Sequence, residues 1–394
     1  MLNNDALSAR WFPFISASAV FLVSTVMVML GPILLPLAAD LHTSVALTAQ
    51  LAAVTSLVWG LSAITVGPVS DTYGRRRVLL SGMLLMSLFL GCSTLATSYG
   101  QMFFARILTG FAAAMIPPTC YAACADQLSP GQSSRAMSWS MAAGVLGGAL
   151  GQPAIAWLAD LGSWHTPFLA LSAALALLSA GVWAVFPHRA LASHESKSFF
   201  AHFREVSASG VPFWLLLSVN FLLQSASWGT MSFLPAYLMQ TYHLPLGAIT
   251  LPLLLNGLGI MAGAIAGGPL ATHPRRAAVI VSTLPLGGLL IAIAYLVPLS
   301  IWATVSLTAA AGGMLIVSQP MVMTMLLSLA GEARGTATGI YSLSTQFGAM
   351  SGTALAGVLL AFGGFSYIGI SCLAIGIIAS AVMTCAIKAL PRRV

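Results

Sequence analysis

Hydrophobic residues occupy this chain in long runs, and short polar breaks separate the runs almost from one end to the other. A hydrocarbon core about 30 Å thick needs about 20 apolar residues per spanning helix, and twelve runs reach that length. The alternating pattern of a transmembrane barrel is absent, and lipid-facing backbone must satisfy its own hydrogen bonds, so each run predicts a helix. The predicted spans cover residues 13–38, 44–69, 78–98, 101–124, 137–159, 166–186, 212–241, 246–271, 277–297, 301–329, 336–362 and 365–388.

The composition agrees with an all-α membrane protein. Of the 394 residues, 58% are hydrophobic and 6% are charged, and the mean hydropathy is +0.95, which no soluble globular protein matches. A net charge of +7 would suggest a nucleic-acid partner in a soluble chain. Here the orientation of the spans and attraction to anionic lipid account for it, so we expect membrane lipid, and no nucleic acid, as a partner.

Positive charges are retained in cytoplasmic loops during insertion, and their placement along this chain is one-sided. With both termini inside, all but one of the 15 Lys and Arg residues fall in cytoplasmic segments, and none falls in an outer loop. The exception is Arg106, which lies inside a predicted span. An extra or missing helix would destroy this pattern, so it predicts an even number of spans with both termini cytoplasmic.

The longest hydrophilic break, residues 187–210, divides the spans into two sets of six. A basic loop at 67–77 follows the second span, and a degraded copy at 268–276 follows the eighth, about 200 residues downstream. We therefore predict a duplicated protein with two six-helix bundles, 1–186 and 211–394, joined by a cytoplasmic linker at 187–210.

Repeated six-helix bundles with a binding site at mid-depth are a design of secondary transporters. No ATPase, haem, flavin or protease motif interrupts the spans. The chain is therefore predicted to be a transporter and not an enzyme, with no cofactor.

Three short motifs stand out along the chain. They are the GxxxDxxGRR loop of Gly67, Asp71, Gly74, Arg75 and Arg76, the RxxxG of Arg106 and Gly110, and the Trp-x-x-x-Phe turn of Trp164 and Phe168, with His165 after the tryptophan. Together they resemble the major facilitator superfamily, and more narrowly its twelve-helix drug and metabolite proton-antiporter branch. The resemblance covers the whole chain, although the family's turn has Arg in place of His165.

The resemblance implies that the first loop gates the transporter. It implies an ion pair between Arg75 and Asp126 at the end of the fourth span, and a contact of Asp71 with the start of the eleventh. The gating residues implied are Gly67, Asp71, Gly74, Arg75, Arg76 and Asp126. Because the second copy of the loop lacks the aspartate, such a latch would be one-sided. The alternative is a plain turn whose charges only set the orientation.

The fifth span contains Gly147, Gly151 and Pro153 in a stretch similar to the antiporter motif of that branch, although Gln152 separates the last glycine from the proline. Two glycines four residues apart allow close contact between helices. We expect these residues to pack against another span. Tight packing without a part in antiport explains them equally well.

Arg106 is the only charge well inside a predicted span, and such a charge is costly in a membrane unless it faces a cavity or a partner. The resemblance places it in the central cavity, where it would bind an anionic group or alter the proton affinity of a nearby acid. The alternative is an arginine near the outer end of the span that extends to the interface.

Proton coupling requires a titratable group in the pathway, yet no Asp, Glu or His lies in the middle of a span. Asp40, at the outer end of the first span, is the candidate, together with Arg106. A capping or loop role for Asp40 explains its position equally well.

Asn220, Gln224 and Trp228 share one face of the seventh span at spacings of four residues. A polar stripe would be expensive in lipid, so we expect it to face the interior and bind substrate. The remaining candidates for substrate binding are Arg106, Tyr121, Asn256, Gln319, Tyr341 and Gln346. Hydrogen bonding between helices, without a ligand, is the alternative for each.

All five cysteines lie within predicted spans, so no disulfide is expected. Cys120 and Cys124 share a helix face, a spacing that could suit a soft metal, but neither His nor a carboxylate accompanies them. Inert buried thiols are the preferred interpretation, and no metal site is predicted.

Together these observations predict a secondary transporter of the bacterial inner membrane. It would export drug- or metabolite-like small molecules by alternating access in exchange for protons, and we expect it to act as a monomer. One alternative is an importer or facilitator of a small anionic metabolite that Arg106 would hold. Another is a membrane sensor that does not transport.

Overall fold

The computed structural model describes residues 2–128, 130–185, 210–329 and 334–390; the surroundings of Gly67 and the side chain of Asp71 lie outside the described part. The described chain contains fourteen α-helices and one short 3-10 turn, Leu246–Ile249. The helices are α1 (Leu2–Val28), α2 (Leu30–Asp40), α3 (Val45–Tyr73), α4 (Arg75–Ser93), α5 (Tyr99–Ala114), α6 (Pro117–Gln127), α7 (Pro130–Asp160), α8 (His165–Val185), α9 (Val211–Thr241), α10 (Thr250–Leu270), α11 (Arg276–Leu296), α12 (Ile301–Leu329), α13 (Arg334–Gly363) and α14 (Phe365–Ala389).

Twelve spans long and apolar enough to cross a membrane are present in the described chain, so the predicted fold class is confirmed. The side of the membrane on which the termini lie stays a prediction. Two spans differ from the expected continuous helices, because the first consists of α1 and α2 and the fourth of α5 and α6.

Prolines account for both breaks. Pro32 has no N–H to donate to the carbonyl of Val28, the last residue of α1. Pro117 likewise cannot donate to Ala113, whose carbonyl accepts from Ile116 at 3.3 Å in a tighter turn. These losses of helical hydrogen bonds interrupt the two spans near their middle.

The helices cluster into two compact units, Met1–Ser196 and Lys197–Val394, called unit 1 and unit 2 below. In each unit the first span packs on the fifth, the second on the fourth, and the third on the sixth. The contacts α1–α7, α3–α5 and α4–α8 correspond to α9–α13, α10–α12 and α11–α14. The duplication therefore extends to helix packing. The predicted linker falls mostly outside the described residues, and its boundaries stay a prediction.

Gly147 and Gly151 lie where α7 contacts α1. A Cβ atom at Gly147 would collide with the carbonyl oxygen of Phe21, and one at Gly151 would lie 3.1 Å from Cα of Thr25. The hydroxyl of Thr25 donates to the carbonyl of Gly147 at 3.4 Å. Pro153 lies inside α7 without ending it. The glycines thus lie in a close helix contact, while a part in antiport stays a prediction.

The corresponding contact in unit 2, between α9 and α13, repeats this geometry. A Cβ atom at Gly348 would lie 2.6 Å from the carbonyl oxygen of Phe221, and one at Gly352, a turn further on, would collide with the carbonyl of Ser225. The hydroxyl of Ser225 donates to the carbonyl of Gly348 at 3.1 Å. The repeat is therefore preserved at the level of single contacts.

Candidate functional site

Arg106, on α5, has 0% of its surface exposed. Its Nε donates to Oγ1 of Thr55 on α3 at 3.1 Å. Its Nη1 lies 3.8 Å from Sδ of Met29, at the break between α1 and α2. Its Nη2 has no hydrogen-bond acceptor among the described residues. Arg106 is therefore fully buried among the described residues, and the hydrogen-bonding capacity of its Nη2 is unused there.

A close contact between α3 and α5 positions this guanidinium. A Cβ atom at Gly110 would lie 2.5 Å from the carbonyl oxygen of Thr55, so glycine is what lets the two helices approach here. The Thr55 hydroxyl also lies 2.7 Å from the carbonyl of Leu51, which fixes its orientation. Sequence reasoning missed Thr55 and Met29, because one hydroxyl or thioether in an apolar span forms no pattern.

No described acidic side chain neutralises Arg106. The described aspartates Asp40, Asp126 and Asp160 lie at or near helix ends, and none forms an ion pair with it. An unpaired charge in low-dielectric surroundings costs several kcal/mol. The site therefore has an uncompensated positive charge that an anion could neutralise.

Unit 2 has no arginine at the equivalent contact between α10 and α12. There, a Cβ atom at Gly313 would lie 2.8 Å from the carbonyl oxygen of Gly259. This close approach resembles that of Gly110 in α5 to the carbonyl oxygen of Thr55. One turn before Gly313 stands Ala309, whose carbonyl would lie 2.5 Å from a Cβ atom at Gly259. The sequences of α10 and α12 contain no charged residue, so the duplicated contact is charged in one copy alone.

A second polar cluster lies in unit 2, where α9 meets α13. Nδ2 of Asn220 lies 3.1 Å from Oγ1 of Thr345, 3.3 Å from Oγ of Ser344 and 3.4 Å from the carbonyl of Tyr341. Oδ1 of Asn220 and Oε1 of Gln224 are buried, and neither receives a hydrogen bond in the described part of the chain. This face of α9 therefore presents two acceptors without donors.

The other candidates for substrate binding are only partly brought together. The hydroxyl of Tyr341 donates to the carbonyl of Gln319 at 3.4 Å, which connects α13 with α12. In the described part of unit 2, Asn220 forms no hydrogen bond with Trp228, Asn256 or Gln346. In the described part of unit 1, Arg106 forms none with Tyr121. Asn256 and Gln346 are buried, while Tyr121 and Trp228 are half-buried. Their roles in binding stay predictions.

The turn between α3 and α4 contains the ion pair that the family resemblance implies. Nε of Arg75 lies 3.0 Å from Oδ2 of Asp126, and the two side chains are 16% and 31% exposed. Nη1 of Arg75 donates to the hydroxyl of Ser70. Gly74 makes the turn with φ 91°, a conformation that glycine adopts without strain. The ion pair is confirmed, and its part in gating stays a prediction.

Arg76 makes a different contact from its neighbour. Its Nη2 donates to the carbonyl of Trp183 near the end of α8, so it holds the last turn of that helix. The surroundings of Gly67 and the side chain of Asp71 lie outside the described part of α3, and the contact predicted for Asp71 stays a prediction.

Asp40, the candidate for proton coupling, is the exposed last residue of α2. Its Oδ2 accepts a hydrogen bond from Nε1 of Trp164 at 3.0 Å. The ring of His165 stacks on that of Trp164, with 3.7 Å between centroids. Asp40 thus connects the end of α2 with the start of α8, which is the loop role left open by the sequence. A part in proton coupling stays a prediction.

Cys120 and Cys124 are buried in α6, and Sγ of Cys124 lies 3.7 Å from Oγ of Ser16. No group of three His, Cys, Asp or Glu side chains converges within the described ranges. The two thiols pack beside a hydroxyl of α1, as inert buried cysteines do.

Comparison with known proteins extends these observations. Residues 16–341 match the family model described as Major Facilitator Superfamily. The chain is 30% identical over 350 residues to the uncharacterized MFS-type transporter YceJ of Bacillus subtilis (strain 168), which covers 87% of each chain. It is 25% identical over 309 residues to the 3-(3-hydroxy-phenyl)propionate transporter of Escherichia coli (strain K12), covering 76% of this chain and 74% of that protein.

A solved structure shares the fold over nearly the whole chain. It is a bacterial homolog to the human lysosomal transporter Spinster, in an inward-facing and unoccupied conformation, with a TM-score of 0.75 and 15% identity over 98% of this chain and 97% of that one. The twelve spans and the family model, which covers most of the sequence, lead to one conclusion: this integral membrane protein belongs to the Major Facilitator Superfamily of transporters.

Proposed function

We propose that this protein transports small organic carboxylates across the bacterial inner membrane by alternating access. The observation that carries the proposal is Arg106, which is buried, has no described acidic partner and has a buried Nη2 that donates to no described acceptor. A buried guanidinium is costly unless an anion compensates it. Its planar fork matches the two oxygens of a carboxylate, so the substrate would supply the missing anion.

The E. coli relative supports this class of substrate, because 3-(3-hydroxy-phenyl)propionate carries a carboxylate. The same compound carries a hydroxyl group, so hydroxylated carboxylates are the first compounds to test.

Counterflow in proteoliposomes tests the proposal. We expect exchange of 3-(3-hydroxyphenyl)propionate, and no competition from its neutral amide, which has the same shape without the charge. Arg106→Gln should weaken binding about 10- to 100-fold, because a hydrogen bond to a charged group is lost. Arg135→Gln, which removes an exposed arginine of α7, is the matched control and should exchange normally. Full exchange by folded Arg106→Gln would contradict the proposal.

A second candidate is export of drug- or metabolite-like molecules in exchange for protons, with Asp40 and Arg106 as coupling residues. The close contact of Gly147 and Gly151 with α1 favours it, because these glycines belong to the stretch similar to the antiporter motif. The same vesicles under an imposed pH gradient separate the candidates. Export coupled to protons requires accumulation driven by the gradient, whereas a facilitator only equilibrates its substrate.

A further inference from the structure

Met29 lies at one of the two helix breaks of unit 1 and touches the arginine of the proposed site. It is fully buried and directly follows Val28, the last residue of α1. Because Pro32 cannot donate to the Val28 carbonyl, fewer hydrogen bonds hold the backbone here than in a continuous helix. The unbranched side chain of Met29 has three rotatable bonds, so its sulfur can change position by rotation about them.

The contact between Met29 and Arg106 is weak. Sδ lies 3.8 Å from Nη1, and a thioether is a poor acceptor. The opposite side of the guanidinium is fixed, since Nε donates to the Thr55 hydroxyl at 3.1 Å. On the edge formed by Nη1 and Nη2, Nη1 therefore contacts the sulfur, while Nη2 donates to no described acceptor. A carboxylate binds such an edge through two parallel hydrogen bonds, which requires the sulfur to leave Nη1.

We infer that Met29 is an exchangeable partner of Arg106: its sulfur covers Nη1 while the site is empty and gives it up to the carboxylate of the substrate. The inference rests on the proposed function. It makes Met29 a positioning residue whose strength as an acceptor sets how tightly an anion binds. A stronger acceptor at this position competes with the substrate, and a side chain without an acceptor does not.

Two substitutions of similar size test whether the strength of the acceptor at position 29 sets the affinity for the anion. Met29→Leu removes the sulfur with little change in volume, and Met29→Gln introduces a strong amide acceptor. The half-saturation concentration of 3-(3-hydroxyphenyl)propionate in counterflow should fall about threefold in Met29→Leu and rise about tenfold in Met29→Gln. The maximal rate should stay within about twofold in both, since only the competition for Nη1 changes. Met383→Leu, at a buried methionine of α14 in unit 2, is the control.

The outcomes separate this inference from the proposed function. Equal half-saturation concentrations in the wild type and both Met29 variants, with exchange lost in Arg106→Gln, would overturn the inference and leave the proposed function standing. A purely structural role would lower the maximal rate without producing the expected order, and that result also overturns it. Exchange that survives in Arg106→Gln, or that the wild type lacks, would overturn the proposed function and the inference with it.

Discussion

The guanidinium groups of Arg75 and Arg106 behave differently because their surroundings differ. Arg75 is partly exposed and already holds the carboxylate of Asp126, so its charge is compensated. Arg106 is completely buried and meets no described acid. An exposed ion pair contributes about 0.2–1 kcal/mol, which is compatible with the predicted role in gating. A buried arginine without a described acid is compatible with the proposed binding of an anion.

Reversing charges in the Arg75–Asp126 pair tests the proposed latch. Arg75→Asp should slow counterflow about fivefold or more, the lower end of typical coupling energies, because two carboxylates then repel each other. Arg75→Asp combined with Asp126→Arg should recover much of the rate. The Tm of the single variant should change by less than about 4 °C, since the pair contributes at most about 1 kcal/mol. An unchanged rate in Arg75→Asp would identify the pair as a surface contact without a part in gating.

The parts of the site that the sequence could reveal are those that leave a pattern. Arg106 is detectable as a lone charge in an apolar span, and Arg75 with Asp126 through a family motif. Thr55 and Met29 lie in other parts of the chain, and only the tertiary fold brings them into contact with Arg106. Since hydroxyl and thioether side chains are ordinary in spans, no property of the sequence distinguishes these two.

At the scale of helices, the sequence predicts the length of each span but does not predict which spans are broken into two helices. Bilayer thickness fixes the length of an apolar run, so all twelve spans follow from hydrophobicity. The effect of a proline depends on its neighbours in the fold. Pro32 and Pro117 accompany breaks, whereas Pro153, Pro235 and Pro320 lie inside α7, α9 and α12 without interrupting them. A count of prolines could therefore not have located the break beside Arg106.

Two adjacent glycines of α7 provide a matched test of the contact between α1 and α7. A Cβ atom at Gly147 would collide with α1, whereas one at Gly148 would have no neighbour within 4 Å. We expect Gly147→Val to destabilise the protein by about 1–3 kcal/mol through overpacking and to lower the folded yield. Gly148→Val should stay close to the wild type. Thermal unfolding and gel filtration in detergent measure both effects, and equal behaviour of the two variants would refute the close contact.

Across the whole molecule, the two units follow one plan of packing but differ in what they contain. Within the described ranges, both broken spans, the buried arginine and the ion-paired turn belong to unit 1. Unit 2 repeats the helix pairing with continuous spans and contains the unsatisfied acceptors of Asn220 and Gln224. The two units thus share one scheme of helix packing and differ in their buried polar side chains.

The orientation predicted from the positive charges can be measured directly in a cysteine-free variant. Arg77 is exposed in the first turn of α4, and Leu161 is exposed between α7 and α8. Arg77→Cys should react with a membrane-impermeant maleimide in inverted vesicles, and Leu161→Cys in right-side-out spheroplasts, because cytoplasmic loops retain positive charge. The opposite labelling would place both termini outside.

The uncompensated arginine also gives the molecule an electrical property. While the site is empty, Arg106 adds one positive charge to the interior of the spans, and a bound monocarboxylate cancels it. One elementary charge exchanges about 2.3 kcal/mol with a membrane potential of 100 mV when it crosses the whole field, and a site that alternates its access experiences part of that field. If a carboxylate binds Arg106 as proposed, we expect a negative cell interior to draw the empty carrier toward the state open to the cytoplasm, and the loaded carrier to be indifferent to voltage.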